Sequence, residues 1–285
     1  MIDEQQVDIN TLKSINMTTI NTNKKISYLN IESGFDIETT STYLGDGTKT
    51  AFMYIWMFGI GIDEPVYYGR TWETFKRLCD KVQSAYGLNE SKRLIVYVHN
   101  LSYEFQFMRK HFDWYEVFAA EERKPLKAVT TQGIEFRDSY ILSGQSLDNT
   151  AKNLQTYQVK KLTGSLDYSL IRTQHTTLSD EEMAYCENDI DVVLAYIREE
   201  IDYYGDINKV PLTNTGRVRK YVRNNCYYTN SNHRKSSKGK YYRYRKIMND
   251  LTLTKDEYIR LKQAFMGGFT PVSYTHLTLP TTPYV

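Results

Sequence analysis

The chain has 285 residues, of which 41% are hydrophobic, so it is long enough for one large domain or for one domain with an appendage. It carries 36 Lys and Arg against 34 Asp and Glu, it contains no run of about 18 apolar residues, and its first residues lack the charged-then-apolar pattern of a signal peptide. We therefore expect neither secretion nor membrane insertion. The cysteines and histidines are scattered without zinc-ligand spacing, which predicts reduced thiols and a cytoplasmic protein.

Apolar patterns and turn signals predict an alternation of strands and helices along the chain. Strands are expected over 26–38, 51–60, 65–69 and 93–98, with a hairpin over 126–138 around Gln132-Gly133. Helices are expected from Thr71 to about Tyr86, after Asn100, near 146–155 and over 179–202, where Ser179 begins a Ser-Asp-Glu-Glu start. Strands interleaved with helices predict an α/β fold, in which helices cover a mixed sheet.

Acidic residues occur in three short blocks on these elements, Phe35–Thr39, His99–Phe105 and Tyr185–Asp189. Alternation on a strand places Asp36 and Glu38 on one face of the sheet. A spacing of four stacks Tyr185 and Asp189 on one face of a helix. A site that gathers the four acids of these blocks would need divalent cations, because the negative charges repel one another. The acids are Asp36, Glu38, Glu104 and Asp189, and they predict a Mg²⁺ site for phosphoryl transfer.

Each block also has an ordinary interpretation when it is taken alone. An Asp-x-Glu at a strand end is usually a solvated edge. Asn100 before a helix is a common cap, and Tyr185 with Asp189 could be a surface pair. Their occurrence together, in this order and on the expected elements, favours one shared site.

The three blocks resemble the Exo I, Exo II and Exo III motifs of DEDD-type 3′-to-5′ exonucleases, and they are similar to the proofreading domain of protein-primed family B DNA polymerases of bacteriophages. The resemblance implies a ribonuclease H-like fold and two Mg²⁺ ions, for which Mn²⁺ can substitute. It implies metal binding by Asp36, Glu38 and Asp189, with Tyr185 orienting the attacking water. Glu104 stands where the second motif usually has Asp, and it is the fourth expected catalytic acid and metal ligand.

The resemblance also implies contacts with a frayed single strand of DNA. Thr39 follows the first motif, and Asn100 and Tyr103 occupy the strand-binding places of the second. Ser139 belongs to an Asp-Ser-Tyr run that is similar to the family's Asp-Ser-Leu element. A terminal base stacked on Tyr103 would gain about 1–3 kcal/mol without sequence preference.

A further segment, Gly164–Tyr168, resembles one whose tyrosine binds DNA, which assigns this role to Tyr168. In the family a lysine upstream of that segment contacts the scissile phosphate. Thr163 stands at the expected place of this lysine, which leaves Lys161 as its substitute.

Positive charge is concentrated late in the chain. Residues 1–216 carry 22 Lys and Arg against 31 Asp and Glu, whereas residues 217–246 carry 11 basic residues, no acidic ones and six tyrosines. Cations interleaved with aromatic rings favour nucleic-acid contact over a solvated basic loop. Phe265–Phe269 resembles the Gly-Gly linker between the exonuclease and polymerase domains of family B enzymes, so Gly267 and Gly268 are expected to approach DNA closely.

These features divide the chain into an N-terminal extension over 1–25, a 3′-to-5′ exonuclease domain over 26–210, a basic linker and start of the polymerase region over 211–270, and a tail over 271–285. The run Val272–Thr281 resembles a translated sequencing adapter, so residues from about Pro271 onward are expected to be non-native. We expect a fragment of a DNA-directed DNA polymerase that is truncated before the palm.

The expected partners are single-stranded and primer-template DNA, with a terminal protein primer for the parent polymerase, in the cytoplasm of a phage-infected bacterial host cell. Two alternatives stay open. A stand-alone DEDD 3′-to-5′ exonuclease of repair or RNA processing would share the motifs but would not need the Gly267-Gly268 linker or the basic tract. A non-catalytic nucleic-acid-binding module would fit the replacement at Glu104.

Overall fold

The computed structural model describes residues 1–162, 170–224 and 238–264, and the chain divides into two compact units, Met1–Val218 and Arg219–Val285. The predicted DNA contacts Tyr168, Gly267 and Gly268 lie outside the described residues, as do the predicted tail over 271–285 and part of the basic tract. In the described part of the chain, all strands belong to the first unit.

The strands are β1 (Ile2–Asp3), β2 (Thr18–Asn21), β3 (Ser27–Asn30), β4 (Ser33–Tyr43), β5 (Lys49–Ile60), β6 (Tyr67–Gly69), β7 (Lys92–Val98), β8 (Trp114–Glu121), β9 (Lys124–Thr130) and β10 (Ile134–Asp138). The helices are α1 (Ile9–Ser14), α2 (Trp72–Tyr86), α3 (Leu101–Met108), α4 (Ser139–Ser143), α5 (Leu147–Asn153), α6 (Asp180–Tyr204), α7 (Asn214–Val222), α8 (Lys238–Asp250) and α9 (Lys255–Ala264). Among the described residues, none of these helices combines the length and the apolar character that crossing a bilayer requires.

The strands form one mixed sheet in the order β1-β6-β5-β4-β7-β10-β9-β8, and β3 pairs with both β2 and β7 beside this path. Strand β4 is antiparallel to β5 and parallel to β7, which is in turn parallel to β10. Residues 2–3 and 18–21, which the sequence assigns to an extension, pair with β6 and β3 as part of the sheet. The predicted α/β class, a mixed sheet flanked by helices, is confirmed.

Strand β4 divides its side chains between the two faces of the sheet. Phe35 and Ile37 join the core that contains Phe75 of α2, and the Phe35 and Phe75 rings stack with their centroids 4.4 Å apart. The alternate residues Asp36 and Glu38 therefore point to the other face. This second face is covered by α6, whose apolar residues pack on β5 and β7.

Helix α6 lies close to the sheet because the neighbouring strand offers no side chain at the contact. A Cβ atom at Gly59 of β5 would lie 2.8 Å from side-chain atoms of both Ile190 and Leu194, which is too close for any larger residue without a shift. The absence of a side chain at Gly59 brings the middle of α6 down onto β4 and β5. Asp189 is thereby held near the carboxylates of β4.

The predicted starts of α2 and α6 are confirmed by their caps. Thr71 and Thr74 form a capping box at α2, and Ser179 and Glu182 form one at α6. The 126–138 hairpin is also confirmed, since β9 and β10 are antiparallel.

One element differs from the expectation, because the segment 26–38 forms two strands rather than one. The chain bends between β3 and β4, where the buried Glu32 accepts a hydrogen bond from the Ile62 N–H at 2.8 Å and its carbonyl accepts one from the Gly61 N–H at 2.9 Å. These contacts with the residues after β5 hold the bend. The elements not anticipated are strands β1, β2 and β8 and helices α1, α4, α7, α8 and α9. Most residues of β8 are exposed, so this strand lacks the alternation that marks a half-buried one.

Candidate active site

Three carboxylates meet on the α6 face of the sheet. Asp36 and Glu38 come from β4 and Asp189 from α6, and one oxygen of each lies within 4.8 Å of the others. Strand alternation presents the first two on one face, and the glycine contact described above brings in the third. The structure thus brings together three of the four predicted acids, although Asp189 lies about 150 residues after Asp36 and Glu38 in the sequence.

Glu104, the fourth predicted acid, lies on α3 and outside this group of three. Its side chain is 4% exposed, and its Oε2 atom is buried without a hydrogen-bond partner in the described part of the chain. Burial raises the pKa of Glu104, and the negative charges of Asp36, Asp138 and Glu38 raise it further. Glu104 is therefore an electrostatic neighbour of the cluster, with one orphaned oxygen.

The pKa values of the two acids of β4 are raised as well. Burial raises the pKa of Asp36, which Lys161 lowers in part. Burial followed by the charge of Asp36 raises the pKa of Glu38, against the opposing charges of Lys161 and Arg172. The carboxylates are short of positive charge, and their donors are all oxygens, the ligands that Mg²⁺ and Mn²⁺ take. A divalent cation fits this donor set.

Lys161 lies inside the site rather than beside it. Its side chain is 11% exposed, its ammonium forms an ion pair with Asp189, and Nζ lies 4.2 Å from the centroid of the Tyr185 ring. Burial lowers the pKa of Lys161, while the charges of Asp36 and Glu38 raise it. The predicted lysine, tyrosine and third-motif acid therefore form one contiguous group.

Two of the predicted strand-binding residues touch each other at the edge of this group. The hydroxyls of Thr39 and Tyr103 are 2.5 Å apart, and Tyr103 is 43% exposed with its ring centroid 5.1 Å from that of Phe107. Asn100 sits at the N-cap of α3 with φ of +81°, yet its side chain makes no capping hydrogen bond. The ordinary cap interpretation therefore does not explain Asn100, whose exposed side chain is available for other contacts.

Ser139 does not fit its predicted role. Its side chain is fully buried, its hydroxyl donates to the Val98 carbonyl at 3.3 Å, and it lies 3.2 Å from His99 Nδ1. A direct contact between this hydroxyl and DNA is not supported, because the chain turns from β10 into α4 at this residue and buries it. Burial lowers the pKa of His99, the partner of Ser139, to about 4.

Two polar residues near the cluster were missed. Arg172 is 5% exposed, places its guanidinium carbon 6.0 Å from the Tyr54 ring centroid, pairs with Glu182 and counteracts the raised pKa of Glu38. Asn188 precedes Asp189 and is 9% exposed. The sequence signal for Asn188 was its place within the third block, whereas Arg172 has no motif around it.

The sheet order and the covering helices form the ribonuclease H-like fold that the sequence predicts. Among solved structures, this fold is shared with Phi29 DNA polymerase. The complex with primer-template DNA matches with a TM-score of 0.53 and 15% identity, over 68% of this chain and 35% of that one. The complex with single-stranded DNA matches with a TM-score of 0.52 and 17% identity, over 70% and 36%.

An orthorhombic crystal form of the same polymerase matches with a TM-score of 0.52 and 16% identity, over 68% of this chain and 34% of that one. The chain thus spans about a third of the length of these structures. No family model matches the sequence, and no curated protein matches it.

Proposed function

We propose that this chain carries the 3′-to-5′ exonuclease of a protein-primed family B DNA polymerase, which hydrolyses the 3′-terminal phosphodiester of single-stranded DNA. The observation that carries the proposal is the convergence of Asp36, Glu38 and Asp189 on one face of the sheet. The fold shared with Phi29 DNA polymerase supports it, and those structures are of complexes with primer-template and single-stranded DNA. The parent polymerase, its terminal protein, its phage host and the four-part division of the chain belong to the same proposal.

In this mechanism Asp36, Glu38 and Asp189 would hold the cations. Glu104, which interacts electrostatically with Asp36 and Glu38 and has one buried oxygen without a hydrogen-bond partner in the described part of the chain, would be the fourth acid. Mg²⁺, when bound, supplies charge neutralisation at the phosphate and acidifies a water. Tyr185 is half-buried beside Lys161, and its hydroxyl would orient the attacking water. Lys161 adds the positive charge that offsets the developing charge on the scissile phosphate.

The strand would enter past Tyr103, whose exposed ring provides a stacking surface, with Thr39 and Asn100 beside it. A cavity of about 490 Å³ is lined by Lys160 and Lys161, and by Lys152, whose ammonium pairs with Asp148 of the same lining. Lys160 would supply positive charge in a part of the chain where acidic residues outnumber basic ones and a phosphate backbone would be repelled.

A nuclease assay on 5′-labelled single-stranded DNA with Mg²⁺ tests the proposal. Asp36→Ala removes one ligand and is expected to lower the rate by at least about 10²-fold. Glu181→Ala, which removes an exposed acid from the first turn of α6, is the matched control and should degrade DNA at the wild-type rate. Equal degradation by the wild type and Asp36→Ala would refute the site.

The position of Glu104 favours a second candidate, a non-catalytic nucleic-acid-binding module. Its carboxylate lies outside the group formed by Asp36, Glu38 and Asp189, so three of the four predicted acids converge rather than all four. Under this candidate the chain would bind single-stranded DNA but leave it intact in Mg²⁺ and in Mn²⁺. A stand-alone exonuclease would share the site, and the gene sequence downstream would separate it from a polymerase.

A further inference from the structure

Asn188 connects two distant segments through both ends of its side-chain amide. Its Oδ1 accepts a hydrogen bond from the Leu162 N–H at 2.7 Å, and its Nδ2 donates to the Lys160 carbonyl at 3.1 Å. The side chain is largely buried on α6, next to Asp189. The two hydrogen bonds therefore hold the backbone on either side of Lys161.

The segment that carries Lys161 needs such an anchor. Residues 158–162 belong to no helix or strand, so no ladder of backbone hydrogen bonds fixes them. A lysine side chain has a flexible stem of four methylenes, so the position of its ammonium is fixed only if the backbone that carries it is held in place. An amide can donate and accept at once, whereas a carboxylate or an aliphatic residue of similar size cannot do both.

We propose that Asn188 is the positioning residue for Lys161. By fixing the backbone, Asn188 keeps the Lys161 ammonium between Asp189 and Tyr185, where the ammonium can act on the scissile phosphate. The part of this claim that concerns catalysis rests on the exonuclease function proposed above. The part that concerns position does not, because it predicts where Lys161 lies in the free protein.

The position is measured by carbon–proton correlation NMR on the full chain labelled with [ε-¹³C]lysine, in EDTA. The Lys161 ε-methylene, assigned by its loss in Lys161→Arg, should be shifted upfield because its ammonium lies 4.2 Å from the Tyr185 ring centroid. Asn188→Ala should move this signal to the position of exposed lysines. Asn149→Ala, which changes an exposed asparagine of α5, should leave it in place. An unmoved signal in a folded Asn188→Ala would overturn the proposal.

Asn188→Asp provides a second variant in case the alanine variant does not fold. It keeps the size and the acceptor for the Leu162 N–H but loses the donor to the Lys160 carbonyl, so the shift should be partly lost. A signal identical to that of the wild type would contradict a positioning role for the amide.

A double-mutant cycle then separates positioning from general structural support. In the wild-type background, Asn188→Ala should lower kcat on single-stranded DNA by about 10-fold to 10²-fold. In the Lys161→Met background the same change should lower it by less than about twofold, since the group that it positions is already gone. An equal loss in both backgrounds would overturn the proposal. If the wild type has no nuclease activity, the exonuclease function fails, while the NMR shift still decides the position of Lys161.

Discussion

Glu135 of β10 and the acids of the β4 cluster, Asp36 and Glu38, lie on the same sheet, and they differ in the cations that neutralise them. Glu135 is fully buried between Arg93 at 2.9 Å and Arg137 at 2.6 Å. Burial alone would raise the pKa of Glu135, but Arg137 and Arg93 outweigh it and lower the pKa. In the β4 cluster, burial raises the pKa of Asp36 and Glu38, and the charge of Lys161, joined at Glu38 by that of Arg172, offsets this only in part. An acid that is neutralised by arginines of the protein stabilises the fold. Acids that the protein's own cations neutralise only in part are suited to binding a metal cation.

The largest effect on stability is expected where the acid has its own partners. Glu135→Ala leaves Arg93 and Arg137 buried without their carboxylate and should lower the free energy of unfolding by about 3–5 kcal/mol. Urea denaturation measures this loss. Glu116→Ala, which breaks a half-exposed pair with Lys127, is the control and should cost less than about 1 kcal/mol. Similar losses for both variants would mean that the buried Glu135 pair stabilises the fold no more than the half-exposed pair of Glu116 and Lys127.

At the β4 cluster, removing an acid is not expected to lower the free energy of unfolding. Asp36→Asn removes one of the buried charges that repel one another, so the free energy of unfolding in EDTA at pH 8 should stay level or rise by about 1–3 kcal/mol. The same variant should lose the stabilisation that Mg²⁺ confers on the wild type. Thermal melts with and without Mg²⁺ check both outcomes. A clear destabilisation in EDTA would place Asp36 with the structural acids instead.

The free energy of unfolding is also expected to depend on pH. Burial raises the pKa of Asp36 from 3.8 to about 6, and burial with the charge of Asp36 raises that of Glu38 from 4.5 to about 8. Between these values the folded protein binds more protons than the unfolded one, so the free energy of unfolding in EDTA should fall as pH rises from about 4 to about 8. Mg²⁺ favours the ionised carboxylates and should flatten this slope. An EDTA slope that persists unchanged in Asp36→Asn with Glu38→Gln would assign it to other groups.

The acids of the site were predictable because their faces follow from local geometry. Asp36 and Glu38 share a face by strand alternation, and the start of α6 at Ser179 follows from its capping box. The bend at Glu32 and the burial of Ser139 were not predictable, because each depends on contacts between segments far apart in sequence. Lys161 was indicated by the family resemblance, but its ion pair with Asp189 is seen only in the tertiary structure. The Asn188 hydrogen bonds, which span 26 and 28 residues, are of this kind. Local pattern and family resemblance thus indicated the acids, Tyr185 and Lys161, and only the tertiary structure showed the contacts that hold them in place.

The most direct test of the account is a titration of the protein with Mn²⁺, with free ion followed by electron paramagnetic resonance. The account predicts that the wild type and Glu181→Ala bind Mn²⁺ alike, and that Asp189→Asn binds it at least about tenfold more weakly, since it loses one of the three converging carboxylates. Wild-type protein that binds no Mn²⁺, or an Asp189→Asn variant that binds it as tightly as the wild type, would contradict the account.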